Sequence, residues 1–143
     1  MISYLHSVWA YFTLLIIVFA VVYHLFGFFS GRSYDLKVDF RLALFALIVT
    51  GIQVVLGLIN YFISPVWMHI RREGFGSVMK VSELRLAALE HPLMGIAGFL
   101  FLLYGFRRMF YQPVAKAKFF SVFLFYGIGL ILILSRIPWS KWL

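Results

Sequence analysis

Four apolar runs, each long enough to cross a bilayer as a helix, decide what this chain can become. They cover about residues 4–29, 40–62, 84–106 and 119–135. A bilayer core takes ~20 apolar residues of helix, and within it every backbone N–H and C=O must be satisfied inside the segment. The expected fold is therefore all-α: an integral membrane four-helix bundle that forms one domain over 1–143. Hydrophobic residues make up 64% of the chain and charged ones 13%. A soluble domain is about half apolar and a quarter charged. No basic segment precedes the first run and no small-residue cleavage site follows it, so this run is expected to stay as a helix.

The charge sits between the runs. The formal net charge of +8 comes from Lys and Arg in the connections, where lipid headgroups take them up, so membrane lipid is an expected partner and nucleic acid is not. The absence of cysteine excludes disulfides, thiolate ligands, iron–sulfur clusters and covalent c-type heme attachment. Any metal must be held by His, Met, carboxylate or backbone. The two connections on one side carry seven Lys and Arg against six on the other, which favours termini on the outer, periplasmic face of a bacterial inner membrane.

The third run, AALEHPLMGIAGFLFLLYGF (Ala87 to Phe106), holds an acid and an imidazole side by side, Glu90 and His91. An ionisable residue in a membrane span is costly and points to function. Gly95 and Gly98 follow His91 at helical spacing and share its face. Pro92 removes a helical N–H, frees the carbonyl of Ala88 and predicts a bend beside the histidine. The first run contributes His6 near its start and His24 near its end, on one face but roughly 27 Å apart along the axis, so one planar cofactor cannot use both. Ala10 and Thr13 continue the face of His6.

In an up-down bundle the first and third helices run parallel, which brings His6 and His91 to the same depth near one membrane face. Two facing imidazoles suit a low-spin b-type heme. The heme edge is expected between the second and fourth helices, where Gly57, Gly127 and Gly129 are available, and Arg71, Arg72 or Lys80 would pair with its propionates. Gln53 and Asn60 should face the bundle, because lipid offers them no partner. Glu90 has two readings: proton transfer near a heme or quinone, or an ion pair with Arg85 or Arg71. His69 reads as a loop residue and His24 as an interfacial one beside Tyr23. Asp39 and Ser82 are the expected helix N-caps. Small residues at helical spacing equally mean helix packing.

The stretches LHSVWAYFTLLIIVFA, VTGIQVVLGLINYF and LEHPLMGIAGFLFLLYG together resemble one half of heme A synthase. Each half in that family is a four-helix bundle with histidines on its first and third helices and a Gln-x-x-x-Gly second helix. Those positions here are His6, His91, Gln53 and Gly57. Nearly the whole chain resembles the small cytochrome B-like membrane proteins of Bacteroidota. The shared features are the histidine–Ser/Trp start, the stretch Leu56 to Pro65, the Glu-His pair and the ending Ile137 to Trp139. A single half, with Ser7 where heme A synthase carries a basic residue, does not imply heme A synthesis.

The expected function is binding of a single heme b by His6 and His91, with electron transfer within or beside a respiratory-type membrane complex. Other membrane-protein subunits are expected partners, and quinone is a candidate. The alternative is a heme-free structural or accessory subunit of such a complex. A third reading is a membrane enzyme that uses Glu90 and His91.

Overall fold

The structure, a computed structural model, describes residues 1–142. Among the described residues it is all helical, and four helices are long and apolar enough to span a membrane. The first two are α1 (Ile2–Ser30) and α2 (Asp39–Phe62). Gly31 stops α1 at φ 68°, a left-handed turn that costs little only without a Cβ. The connection after α2, expected as an interfacial loop, instead forms two short helices, α3 (Pro65–Glu73) and α4 (Phe75–Met79). Pro65 does follow the end of α2, but its fixed φ and missing N–H also suit the first position of α3. There Ser64 caps the helix by accepting from the Trp67 N–H at 3.2 Å. His69 accordingly lies in a helix rather than a loop.

The third span is continuous over Ser82–Phe110. It comprises α5 (Ser82–Arg85), a π turn (Leu86–Glu90) and α6 (His91–Phe110). Val81 occupies the N-cap without a side-chain bond, so Ser82 is the first helical residue and not the cap. The fourth span, α7 (Ala115–Ser135), is followed by the short α8 (Trp139–Trp142).

Helix α1 packs on α2 and α7, and α6 packs on the same two. The spans therefore form a square with α1 and α6 on one diagonal, running parallel. Small residues set the close contacts. A Cβ on Gly98 would lie 2.8 Å from the Gly129 carbonyl oxygen and 2.6 Å from Ile133, and one on Gly105 would lie 3.0 Å from the Ser121 carbonyl. These glycines let α6 and α7 approach backbone to backbone, as small residues do where lipid supplies no hydrophobic drive. Ile17, Ala20, Ala43, Ala46, Leu102 and Val122 fill the centre. Tyr126, also buried, donates its hydroxyl to the Ala43 carbonyl at 2.8 Å.

The end of the bundle away from the N-terminus is closed by an ion pair whose carboxylate is buried. Asp39 accepts from the Arg32 guanidinium at 2.8 and 2.6 Å and from the Asp35 N–H at 2.6 Å. It ties the α1–α2 connection to the helix start instead of capping its own helix. Its hydrogen bonds hold the Arg32 guanidinium even further above its ordinary range, and Arg32 also lies over the Phe119 ring at 4.7 Å. Burial pushes the Tyr34 phenol up, with Asp39 adding to the effect. His24, expected at the interface, is fully buried here. Its Nδ1 donates to the Ala20 carbonyl at 2.7 Å, and its ring packs on Tyr34 and Phe119. The fourth span thus supplies a neighbour that the histidine spacing did not reveal.

Candidate functional site

At the end of the bundle near the N-terminus, a cavity of about 430 Å³ opens between the four spans. His6 from α1 and His91 from the start of α6 both line it. Their ring centres are 6.1 Å apart with planes at 84°. Two metal–nitrogen bonds of about 2 Å each, plus about 1.1 Å from each nitrogen to its ring centre, come to about 6 Å. The separation therefore matches a single metal atom held between two imidazoles.

His91 is placed by an irregular backbone. Its N–H donates to the Leu86 carbonyl, five residues back, and closes the π turn. Pro92 then occupies the first turn of α6 and cannot donate to Ala88. The Ala88 carbonyl is satisfied instead by the Tyr61 hydroxyl at 3.0 Å, a donor reaching across from α2. The bend expected at Pro92 thus takes the form of one extra residue in the turn, a feature found often at functional sites.

Both imidazoles have a second partner. His91 Nδ1 lies 2.9 Å from the Arg136 carbonyl oxygen. A carbonyl only accepts, so Nδ1 carries the hydrogen and Nε2 keeps its lone pair, the form in which histidine binds metal. On the other side, Gln53 Nε2 lies 3.2 Å from His6 Nδ1 and donates to the His6 carbonyl, also at 3.2 Å. The Gln53 Oε1 atom is buried without a partner. The His6 carbonyl only accepts, so it fixes the NH2 end of the amide on this side, and His6 Nδ1 faces a donor and keeps its lone pair.

The glycines expected to line one slot divide into four kinds. Gly57 backs His6: a Cβ there would lie 3.0 Å from His6 Cε1. Gly95 lines the cavity, and a Cβ there would meet nothing within 4 Å. Gly98 and Gly129 face each other across the α6–α7 contact and offer no room to a cofactor. Gly127 faces Val21 at ordinary contact distance. Ala10 and Thr13 line the cavity as expected.

Arg71 and Arg72 are exposed on α3 and, like Lys80, do not line the cavity. The cation that does is Lys141. Beside the rim, Ser3 donates its hydroxyl to Asn60 Oδ1 at 2.7 Å, so Gln53 and Asn60 both face the bundle. Glu90 pairs with Arg85 at 2.8 Å, one of its expected partners, and with Arg136 at 3.5 Å in place of Arg71. Arg136 and Lys141 were legible only as an interfacial anchor. A contribution made through a main-chain carbonyl leaves no trace in residue type.

Among the described residues, no group of three or more His, Asp or Glu could hold a bare metal ion. Comparison with protein-family models, with curated proteins and with solved structures returns no match.

Proposed function

We propose that this chain is a b-type heme protein of the membrane, with His6 and His91 as the axial ligands of one heme. The observation that carries the reading is the pair itself: two imidazoles from parallel helices, 6.1 Å apart across a cavity. A site with only two protein ligands suits an iron whose remaining positions are filled by a macrocycle. The residues present fit that group. His91 already holds the ligand tautomer, Gln53 donates to the His6 carbonyl beside the facing ring, and Gly95 leaves open space beside them. Lys141, not Arg71 or Arg72, is the cation at the cavity for a propionate.

When bound, heme supplies one-electron redox chemistry, and the proposed role is electron transfer within or beside a respiratory-type complex of a bacterial inner membrane. The protein residues orient the two imidazoles and surround the group with apolar side chains such as Leu14, Val54 and Ile133. The resemblance to one half of heme A synthase points the same way, since His6, Gln53, Gly57 and His91 meet at one site. The accessory-subunit alternative rests on the many Phe residues and on the small-residue faces; of the latter, Gly98, Gly105 and Gly129 serve contacts inside the bundle.

The test is hemin titration of the purified apoprotein and of H6A and H91A. The proposal expects one hemin per chain with a six-coordinate low-spin spectrum, lost in both variants while helicity is kept. Unaltered binding in both variants would remove the proposed ligands.

A further inference from the structure

Arg136 is the C-cap of α7, and its carbonyl belongs to the set that a helix end leaves without internal partners. It accepts from His91 Nδ1 at 2.9 Å. The guanidinium of the same residue lies 3.5 Å from Glu90 Oε2, and Arg85 Nε donates to Glu90 Oε1 at 2.8 Å. Arg85 in turn donates to the Met79 carbonyl at 3.3 Å. One carboxylate therefore links the end of α4, the start of the third span and the turn after α7, directly beside His91. Other contacts at this end act on neighbouring residues: Ser135 Oγ donates to Leu132, Trp139 Nε1 donates to the Leu134 carbonyl at 3.3 Å and Lys141 lies 3.8 Å from Glu83 on α5, whereas the Glu90 pair acts on the residue whose carbonyl meets His91.

We infer that Glu90 is a positioning residue: by holding Arg136 it fixes the carbonyl that keeps His91 protonated on Nδ1, with the Nε2 lone pair left for the metal. This rests on the heme reading for its purpose, though not for its geometry. The general chemistry is that of a ligating histidine whose other ring N–H is given to a carbonyl, which fixes ring orientation and raises ligand basicity. The negative end of the α7 dipole lies on the same side and favours a donor there. Both Glu90 oxygens are engaged by cations, as the ion-pair reading of this residue expects.

The test uses the full-length, heme-free protein in detergent with 15N-labelled histidine, reading ring tautomers from two-bond 1H–15N correlations. Wild type should show His91 as the Nδ1–H form. E90Q and R136A should lose that single form to a mixture of tautomers, whereas R136K, which keeps a cation for Glu90, should retain it. His24, bonded to Ala20 at the far end, is the internal control and should not change. In hemin titrations E90Q and R136A should bind about 10–100-fold more weakly than wild type. A wild-type His91 protonated on Nε2, or a His91 signal unchanged in both variants, overturns the inference. Loss of the His24 signal together with that of His91 also overturns it, because the pair would then be holding the whole bundle. The tautomer readout needs no heme, so a protein that never bound heme could pass this test and a heme protein could fail it.

Discussion

Gly95 and Gly98 lie on one helix, three residues apart, yet an added methyl group meets different surroundings at each. At Gly98 the new Cβ would lie 2.8 Å from the Gly129 carbonyl oxygen and 2.6 Å from Ile133 Cγ1. At Gly95 it would lie in open space. Ordinary carbon contacts are about 3.5–4.0 Å, so G98A must move the α7 backbone away by several tenths of an ångström, and a backbone atom cannot rotate aside. Overpacking of this kind costs about 1–3 kcal/mol. Replacing glycine in a helix interior returns about 1 kcal/mol of propensity, but this gain is common to both variants and cancels in their difference. G98A should therefore be less stable than G95A by about 1–3 kcal/mol. The assay is reversible unfolding by SDS in mixed micelles, followed by helix circular dichroism. Equal stability of the two variants would refute the reasoning that Gly98 serves helix contact and Gly95 the cavity.

At the opposite end, R32A leaves the Asp39 carboxylate buried without its cation, whereas D39A leaves Arg32, still 31% exposed, able to reach water. The first should cost about 3–5 kcal/mol and the second clearly less, measured by the same unfolding assay; the reverse order would contradict the burial pattern. G57A places a methyl 3.0 Å from His6 Cε1, and ligand positions tolerate only about 0.5 Å of error. Hemin affinity should fall at least tenfold; affinity equal to wild type would show that Gly57 does not seat His6. Tyr34, whose phenol is pushed above its usual value of 10.0 by burial, binds its proton more tightly folded than unfolded. Its contribution to stability is thus complete below pH 10 and lost as pH rises above it. Y34F should flatten that alkaline loss, read from unfolding midpoints above and below pH 10. It should also stabilise the protein by about 1 kcal/mol, since the hydroxyl is buried without a partner.

Much of the bundle was legible because lipid imposes so few solutions. Once four runs are long enough to span, their directions alternate, and His6 and His91 fall to one side. The end of each run was harder to place. Polar residues at helix ends were read as caps, but Asp39 turns to Arg32 and Ser82 lies inside its helix. The connection Ile63 to Val81 looked like a loop because it carries charge and Pro65, yet a Ser-Pro pair also starts a helix. The glycines illustrate a deeper ambiguity. Helical spacing puts Gly95 and Gly98 on nearly one face, but only the position of α7 decides which is covered. The burial of His24 was hidden for a similar reason: Phe119, far away in sequence, and Tyr34 in the following connection close over it. The partners of His91 were least legible, because Arg136 acts through its carbonyl and the π turn through an extra residue that no motif marks.

The most direct measurement is a reduced-minus-oxidised visible spectrum of the purified protein in detergent, with pyridine hemochrome quantitation. The account predicts sharp b-type bands and one heme per chain, absent from H6A and H91A. A protein that is colourless as purified and stays colourless after hemin is added would contradict it.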